Sequence, residues 1–161
     1  MSETLEPALP RDLDQLAECW MRSLCDSGLK VATAESCTGG LLAALLTDVP
    51  GCSHAFERGF VVYTHEAKAQ MLDIDLDRIE ELGAVSKEIA IEMAHGALRR
   101  SEADVALSIT GFAGPGKAGE EEGWSISPAR AATARPRTAA SISARSGARA
   151  CGSPRSRRRW R

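Results

Sequence analysis

The stretch VATAESCTGGLLAALL, residues 31–46, decides how this chain folds. Residues 30–34 predict a short buried strand, and residues 39–47 predict a helix that stops at Pro50-Gly51. Between them, Ser36, Thr38 and two glycines place hydroxyls and backbone N–H groups at the N-terminus of that helix. Such a turn can hold an anion, or stabilise an oxyanion beside a nucleophilic hydroxyl.

Outward from this stretch, helical and strand patterns alternate along the chain. Gly28 stands where a helix C-cap belongs, Ser86 is a good N-cap, and Gly59 marks a bulge or a close approach in a strand. Alternating strands and helices predict an α/β layered fold, with sites beyond the C-terminal ends of the strands. The predicted helices are 12–27, 66–72, 77–82 and 87–100, and the further strands are 55–63 and 103–109.

Charge is distributed unevenly over the 161 residues, although the net charge is only −2. Residues 124–161 hold ten of the 20 basic side chains, all arginine, and none of the 22 acidic ones, so residues 1–123 carry a net charge of −12. The five cysteines show no metal-ligand spacing, and their odd number fits free thiols in the cytoplasm. No apolar run approaches the roughly 20 residues of a membrane span.

Ser36 is the candidate nucleophile, and a serine hydroxyl needs a base. His54 and His95 lie in segments with no other chemical signal. Lys68 is the better candidate, because it falls in the first turn of a helix that follows the strand ending near Tyr63. A lysine that is partly desolvated there has a lowered pKa and can accept the serine proton, while Tyr63 can donate to the oxyanion or orient the amine.

Each of these residues also has a purely structural interpretation. Ser36 can simply cap the helix, Lys68 can be a solvated surface lysine, and Thr110-Gly111 can be an ordinary turn after a strand. Local chemistry alone leaves both interpretations open.

Five ordered motifs over more than a hundred residues resemble the CinA C-terminal domain family. Characterised members of that family are nicotinamide-mononucleotide deamidases. The resemblance covers residues 12–123. The matching motifs are ATAESCTGG at 32–40, GFVVY at 59–63, EAK at 66–68, GAVS at 83–86 and TGFAGPG at 110–116.

The resemblance implies a three-layer α/β/α sandwich and an amidohydrolase that releases ammonia from a carboxamide without a metal or another cofactor. It makes Ser36 the nucleophile and Lys68 its base, with Tyr63 assisting. It further implies a small-molecule nucleotide substrate, a homodimer, and no membrane or nucleic-acid partner. The residues that it places around the nucleotide are Glu35, Thr38, Gly39, Thr110 and Gly111.

Two positions depart from the family pattern. His65 stands where the family usually has Asn, and this change is tolerable because histidine can also donate a hydrogen bond. After Gly123 the family continues into two strands and a helix, whereas here an Arg-, Ala-, Ser- and Pro-rich segment follows. We therefore divide the chain into a leader (1–11), an incomplete domain (12–123) and an aberrant, disordered tail (124–161).

A slip of reading frame near codon 123 is our hypothesis for this tail. In the shifted frame, each codon takes the third base of one residue's codon and the first two bases of the next. With the third bases chosen freely, this one shift gives V-H-F-A-C-A-R from the Trp124/Ser125 junction and R-V-R-L-A-A-V-E-A-A-L-E from the Arg149/Ala150 junction. These are a strand and an amphipathic helix at the places where the family has them. On this hypothesis the chain lacks a covering helix and its arginine, and weak or no activity is expected.

Other interpretations of the tail and of the function remain. Arg157-Arg158-Arg159 with Trp160 fits a disordered cationic arm or an arm that binds nucleic acid. The domain itself can alternatively be a non-catalytic nucleotide-binding module associated with competence or DNA damage.

Overall fold

The computed structural model describes residues 11–112 and the backbone of residues 124–130. These residues form five helices and four strands. The elements are α1 (Arg11–Ser27), β1 (Val31–Glu35), α2 (Leu41–Thr47), β2 (Phe56–Val61), α3 (His65–Leu72), α4 (Leu76–Leu82), α5 (Lys87–Arg99), β3 (Val105–Gly111) and β4 (Trp124–Arg130).

The four strands form one sheet in the order β2-β1-β3-β4. β1 runs parallel to both of its neighbours, and β4 runs antiparallel to β3. Parallel strands end at the same edge of a sheet, so Glu35, Val61 and Gly111 finish β1, β2 and β3 side by side. The residues that follow β1 and β2 therefore meet at this edge.

Apolar side chains are buried on both faces of the sheet, which gives the predicted three-layer α/β/α sandwich. Alternate residues of β1 serve the two cores: Val31 packs with α1 and α2, whereas Ala32 and Ala34 pack with α3, α4 and α5. All five residues of β1 are buried, as expected for a central strand covered on both faces. The α/β fold class predicted from the sequence is confirmed.

Helix ends follow the predicted capping chemistry. Gly28 adopts φ 64°, and Leu29 N donates to Leu24 O at 3.0 Å, which closes α1 with a Schellman-type turn. At the start of α5, Ser86 Oγ accepts from Ile89 N at 3.3 Å.

Gly59 marks a close approach between the sheet and α2. A Cβ at this position would lie 2.9 Å from Thr33 Oγ1 and 3.3 Å from Ala43 Cβ, so only glycine fits without a shift. The irregular register of the same strand lies between Phe56 and Arg58, which pair with consecutive residues of β1.

The prediction that the fold ends before residue 124 needs correction. Trp124–Arg130 pairs with β3 along its whole length, with Trp124 opposite Gly111 and Arg130 opposite Val105. Strand pairing uses backbone N–H and C=O groups, so a segment without the family's side-chain pattern can still extend the sheet. Pro128 donates no N–H, which an outer strand of the described sheet tolerates. The rest of the predicted tail, 131–161, and the predicted leader up to residue 10 lie outside the described residues.

Candidate active site

Ser36 and Lys68 meet at the C-terminal edge of the parallel strands. Ser36 is the first residue after β1, and its N–H donates to Ile109 O of β3 at 3.0 Å. Lys68 lies on α3, and its Nζ lies 3.1 Å from Ser36 Oγ. The structure thus brings the predicted nucleophile and the predicted base into direct contact across 32 residues of sequence.

Among the described residues Lys68 is the largest fully buried side chain, with 1% of its surface exposed. Its Nζ also contacts the carbonyl oxygens of Val62 at 3.1 Å and Tyr63 at 3.2 Å. None of the ion pairs found in residues 11–112 involves Lys68. Burial without a carboxylate partner lowers the pKa of Lys68, because it penalises the charged form.

The start of α3 determines the position of Lys68 in the helix. Thr64 has extended backbone and its Oγ1 accepts from Ala67 N at 3.1 Å, so α3 starts at His65. Lys68 is then the fourth residue of the helix, and its N–H donates to Thr64 O at 3.1 Å. The side chain points back toward the end of β2, where Val62 and Tyr63 present their carbonyls.

Tyr63 acts on Lys68 through its main chain. Its carbonyl accepts from Lys68 Nζ, a contact that can orient the amine. Its side chain, in contrast, is 66% exposed. The phenol therefore points mainly to solvent in this structure. Backbone carbonyls leave no trace in a sequence, which is why the role of Val62 was missed.

Glu35, which the resemblance places around the nucleotide, ends β1 and contacts the start of α2 in this structure. It is fully buried, and its carboxylate accepts from Gly40 N at 3.2 Å, Leu42 N at 2.9 Å and Ala43 N at 2.8 Å. These N–H groups belong to the N-terminus of α2, the end that the sequence offered to an anion. The protein's own carboxylate satisfies these donors, so they are not free for a phosphate.

The turn between β1 and α2 is built from the predicted residues Thr38 and Gly39. Gly39 adopts φ 58° and its N–H donates to Ser36 O at 3.1 Å, while Leu41 N donates to Thr38 O at 3.0 Å. Thr38 Oγ1 is buried, with no hydrogen-bond partner among the described residues.

Thr110 and Gly111 end β3 at the same edge of the sheet. The side chain of Thr110 is 1% exposed, and its hydroxyl donates to Ala84 O at 2.8 Å. That contact ties the end of β3 to the loop before α5. Gly111 is partly exposed and pairs with Trp124 of β4.

Cys37 is a further residue of the site that the sequence did not single out. Its thiol is near enough to Lys68 for their charges to interact. Burial raises the pKa of Cys37, whereas the backbone N–H groups of Cys37 and Thr38 act in the opposite direction.

The remaining cysteines and histidines do not extend the site. Cys25 and Cys52 are free thiols, and His54 Nε2 lies 3.3 Å from Cys25 Sγ. Within the described residues no group of three His, Cys, Asp or Glu side chains is arranged to hold a metal ion. The same part of the chain contains no helix long and apolar enough to span a membrane.

Fold and site together define a class of protein: an α/β/α domain that holds a buried serine–lysine pair at the C-terminal edge of its parallel strands. The family described as the CinA C-terminal domain matches residues 13–142 of this chain. The chain therefore belongs to the CinA C-terminal domain family, as the motifs indicated.

Curated proteins that are similar to this chain include nicotinamide-nucleotide amidohydrolases and CinA-like proteins. The nicotinamide-nucleotide amidohydrolase PncC of Escherichia coli K12 is 49% identical over 111 residues, which cover 69% of this chain and 67% of that protein. A CinA-like protein of Chlorobium limicola is 53% identical over 100 residues, which cover 62% of this chain. This chain spans only 23% of the length of that second relative.

Solved structures agree with the fold. The competence/damage inducible protein CihA from Agrobacterium tumefaciens has a TM-score of 0.65 and 46% identity, covering 72% of this chain and 67% of that one. A CinA superfamily protein from Escherichia coli has a TM-score of 0.64 and 30% identity, covering 82% and 83% of the two chains.

Proposed function

We propose that this domain is an amidohydrolase that converts nicotinamide mononucleotide to nicotinic acid mononucleotide and ammonia. Ser36 is the nucleophile and Lys68 is its base. The observation that carries the proposal is the buried contact of 3.1 Å between Lys68 Nζ and Ser36 Oγ. The 49% identity to PncC, which is named as a nicotinamide-nucleotide amidohydrolase, supports this choice of substrate.

The hydrogen bonds of Lys68 fit an uncharged amine. A neutral amine has two hydrogens and one lone pair, whereas an ammonium group has three hydrogens and no lone pair. The three acceptors around Nζ suit an ammonium as well; in the neutral form the carbonyls of Val62 and Tyr63 accept the two hydrogens, and the lone pair is left for the hydroxyl of Ser36. A lowered pKa of Lys68 favours this neutral form, so the amine can act as a base.

The proposed reaction has two halves that share the same proton carrier. Lys68 takes the Ser36 proton as Oγ attacks the carboxamide carbon, and then gives a proton to the nitrogen as the C–N bond breaks and ammonia leaves. A water molecule next attacks the ester carbon while Lys68 takes its proton. The proton returns to Ser36 Oγ as the acid is released, and the enzyme is restored.

The turn after β1 is the proposed source of oxyanion donors. The backbone N–H groups of Cys37 and Thr38 follow Ser36 directly in the chain, and the proposal assigns them to the oxyanion. The N–H groups of Gly40, Leu42 and Ala43 are bound by Glu35 and are not assigned to the substrate. The nucleotide phosphate must therefore be bound by other groups.

Ammonia release from nicotinamide mononucleotide tests the proposal. We expect Ser36→Ala and Lys68→Ala each to lower kcat by at least about 1,000-fold, because each removes half of the reacting pair. Matched controls are Ser53→Ala and Lys87→Ala, whose side chains are exposed and lie outside the site. These controls should turn over as the unmodified chain does.

The same measurement separates an enzyme from a binding module. Binding of nicotinamide mononucleotide is measured by calorimetry for every variant. Binding that persists in Ser36→Ala while turnover is lost supports the enzyme. Tight binding without turnover, even after the tail has been replaced as described next, would instead favour the non-catalytic nucleotide-binding module.

The tail is the source of a separate expectation about this exact chain. If residues 124–161 are read in a shifted frame, replacing them with the corresponding segment of E. coli PncC should raise kcat/KM. Equal turnover of the two chains would contradict that expectation. Reading the coding DNA around codon 123 tests the frame slip itself, since an uninterrupted frame that matches relatives' tails would refute it.

A further inference from the structure

Glu35 is a buried charged group that the proposed mechanism does not use. Its side chain is fully buried at the end of β1, yet it accepts three backbone hydrogen bonds of 2.8–3.2 Å. A carboxylate buried to this degree is stabilised by such charge-assisted bonds and by the positive end of the α2 dipole. The residue ends β1 and directly precedes Ser36, so a shift of Glu35 displaces the nucleophile first.

The main chain and the side chain of Glu35 hold both ends of one turn. Its carbonyl accepts from Val62 N at 2.8 Å, and its backbone pairs with Val61 and Ile109, which fixes the residue in the sheet. Its carboxylate reaches Gly40 N, five residues further along the chain. The chain from Glu35 to Gly40 and the hydrogen bond between Gly40 N and the Glu35 carboxylate thus form a closed ring, which contains residues 36–39.

The turn leads into α2 through two glycines with left-handed backbone, which glycine adopts without steric cost. Gly39 and Gly40 have φ of 58° and 102°, and the N-cap residue Gly40 offers no side chain to cap α2. Glu35 therefore does, from the preceding strand, what a capping side chain does at other helices. Thr64 and Ser86, in contrast, are themselves the N-cap residues of α3 and α5.

We propose that Glu35 is a positioning residue, whose carboxylate fixes the turn at residues 36–39 and thereby holds Ser36 Oγ at bonding distance from Lys68 Nζ. The reaction it serves is the proposed one, so this inference rests on the proposed function. Glu35 acts through the turn and not as a counterion, because no ion pair joins it to Lys68 in the described structure.

Glu35→Gln is the substitution that tests this role with the smallest change of shape. The amide keeps one acceptor oxygen but turns an NH₂ group toward the N–H donors of α2, so the three-bond arrangement cannot form. We expect kcat to fall on the order of 100-fold, as for a displaced reacting group, with little change in KM. The matched control is Asp75→Asn, because Asp75 caps α4, which has seven residues like α2, far along the chain from Ser36.

The pH dependence of kcat distinguishes positioning from an electrostatic effect on the lysine. If Glu35 positions the serine, Glu35→Gln lowers the plateau of the pH–rate profile and leaves the midpoint of its acid limb unchanged. A midpoint that moves with the substitution would show that Glu35 tunes Lys68, and would overturn the proposal. Wild-type kcat in a Glu35→Gln protein with native circular dichroism would overturn it as well.

A second variant and a substrate-independent readout protect the test from misfolding and from a wrong substrate. Glu35→Asp keeps the buried charge but withdraws it from α2 by one methylene, and it should give the same direction of change if Glu35→Gln does not fold. The rate at which a serine-directed phosphonylating reagent labels Ser36 should fall in both variants. Unchanged labelling in the variants would refute the positioning role. If the unmodified chain is labelled normally but does not turn over nicotinamide mononucleotide, only the proposed substrate would be refuted.

Hydrogen exchange of the unmodified chain examines the ring directly. First-turn amides of a helix ordinarily exchange fast, since they lack intrahelical partners. The amides of Leu42 and Ala43 should instead be protected relative to that of Arg78 in α4. Fast exchange at Leu42 and Ala43 would show that the carboxylate does not hold them, and the proposal would fail.

Discussion

The two helices that frame the Ser36–Lys68 pair are held at opposite ends. α2 is fixed at its start, where buried Glu35 binds three backbone N–H groups. α3 starts with Thr64, an exposed cap that makes one bond to Ala67 N, and is fixed at its far end. There Leu72 is fully buried against α5.

This difference separates two ways of placing a reacting group. The serine is placed by backbone hydrogen bonds of Glu35 and Ser36 to the neighbouring strands and by polar contacts within residues 35–43. The lysine is placed by packing between helices that lie far apart in the chain, together with its own bonds to the end of β2. Substitutions that damage the two sides should therefore differ in kind, and the following predictions use that contrast.

Gly96→Ala should cause the largest change, because it attacks the end of α3 that is held by packing. A Cβ at position 96 would lie 2.3 Å from Leu72 O and 2.7 Å from Leu72 Cβ, so α5 and α3 must move apart. The same Leu72 carbonyl accepts from Arg99 Nη2 at 3.1 Å. Overpacking of this kind should lower the free energy of unfolding by about 3 kcal/mol, as measured by urea denaturation.

Intrinsic helix propensity gives the opposite expectation for the same change. Alanine is favoured over glycine inside a helix by about 1 kcal/mol. A stabilised Gly96→Ala protein would therefore show that the two helices are not in the contact described, and that α3 is held in another way.

The stability contributed at Lys68 should depend on pH. Because burial lowers the pKa of Lys68, the unfolded chain binds a proton that the folded chain does not, between the lowered value and the ordinary 10.5. The free energy of unfolding should thus rise with pH across that window, by about 1.4 kcal/mol for each unit by which the pKa is lowered. Below the lowered value both states are protonated and the slope vanishes.

Comparison with two lysine variants isolates this effect. Urea denaturation of the unmodified chain, Lys68→Met and Lys87→Met is followed from pH 7 to 11. The stability of the unmodified chain relative to Lys68→Met should increase with pH, whereas its stability relative to exposed Lys87→Met should stay constant. A flat difference for Lys68→Met would mean that the lysine ionises normally in the folded chain.

Local patterns predicted most of the fold because the elements are short and well capped. Gly28 and Ser86 end and begin helices by chemistry that is visible in the sequence. The edge strand β4 was not predicted, since backbone pairing needs no side-chain pattern and the segment's composition is atypical of a strand. Base and nucleophile were predicted as a pair from the motifs, and the structure brings them within 3.1 Å.

The roles of the polar residues around the pair were less predictable. Sequence cannot tell whether a lysine is solvated or buried, because that depends on which strands lie beside its helix. For Glu35 a signal was available: strand alternation puts it on the same face of β1 as Val31, which packs toward α1 and α2. That face is covered by α2, whose first N–H groups the carboxylate binds.

The smallest effect should come from Thr64→Ala, which removes the exposed cap of α3. The lost bond to Ala67 N should lower the free energy of unfolding by about 1 kcal/mol, measured by urea denaturation at pH 7. Turnover should stay near that of the unmodified chain, because Lys68 Nζ is still held by the carbonyls of Val62 and Tyr63 and α3 is still packed at its far end. A loss of turnover as large as that expected for Glu35→Gln would show that the lysine, like the serine, is placed by the start of its helix, and would remove the contrast between the two sides of the site.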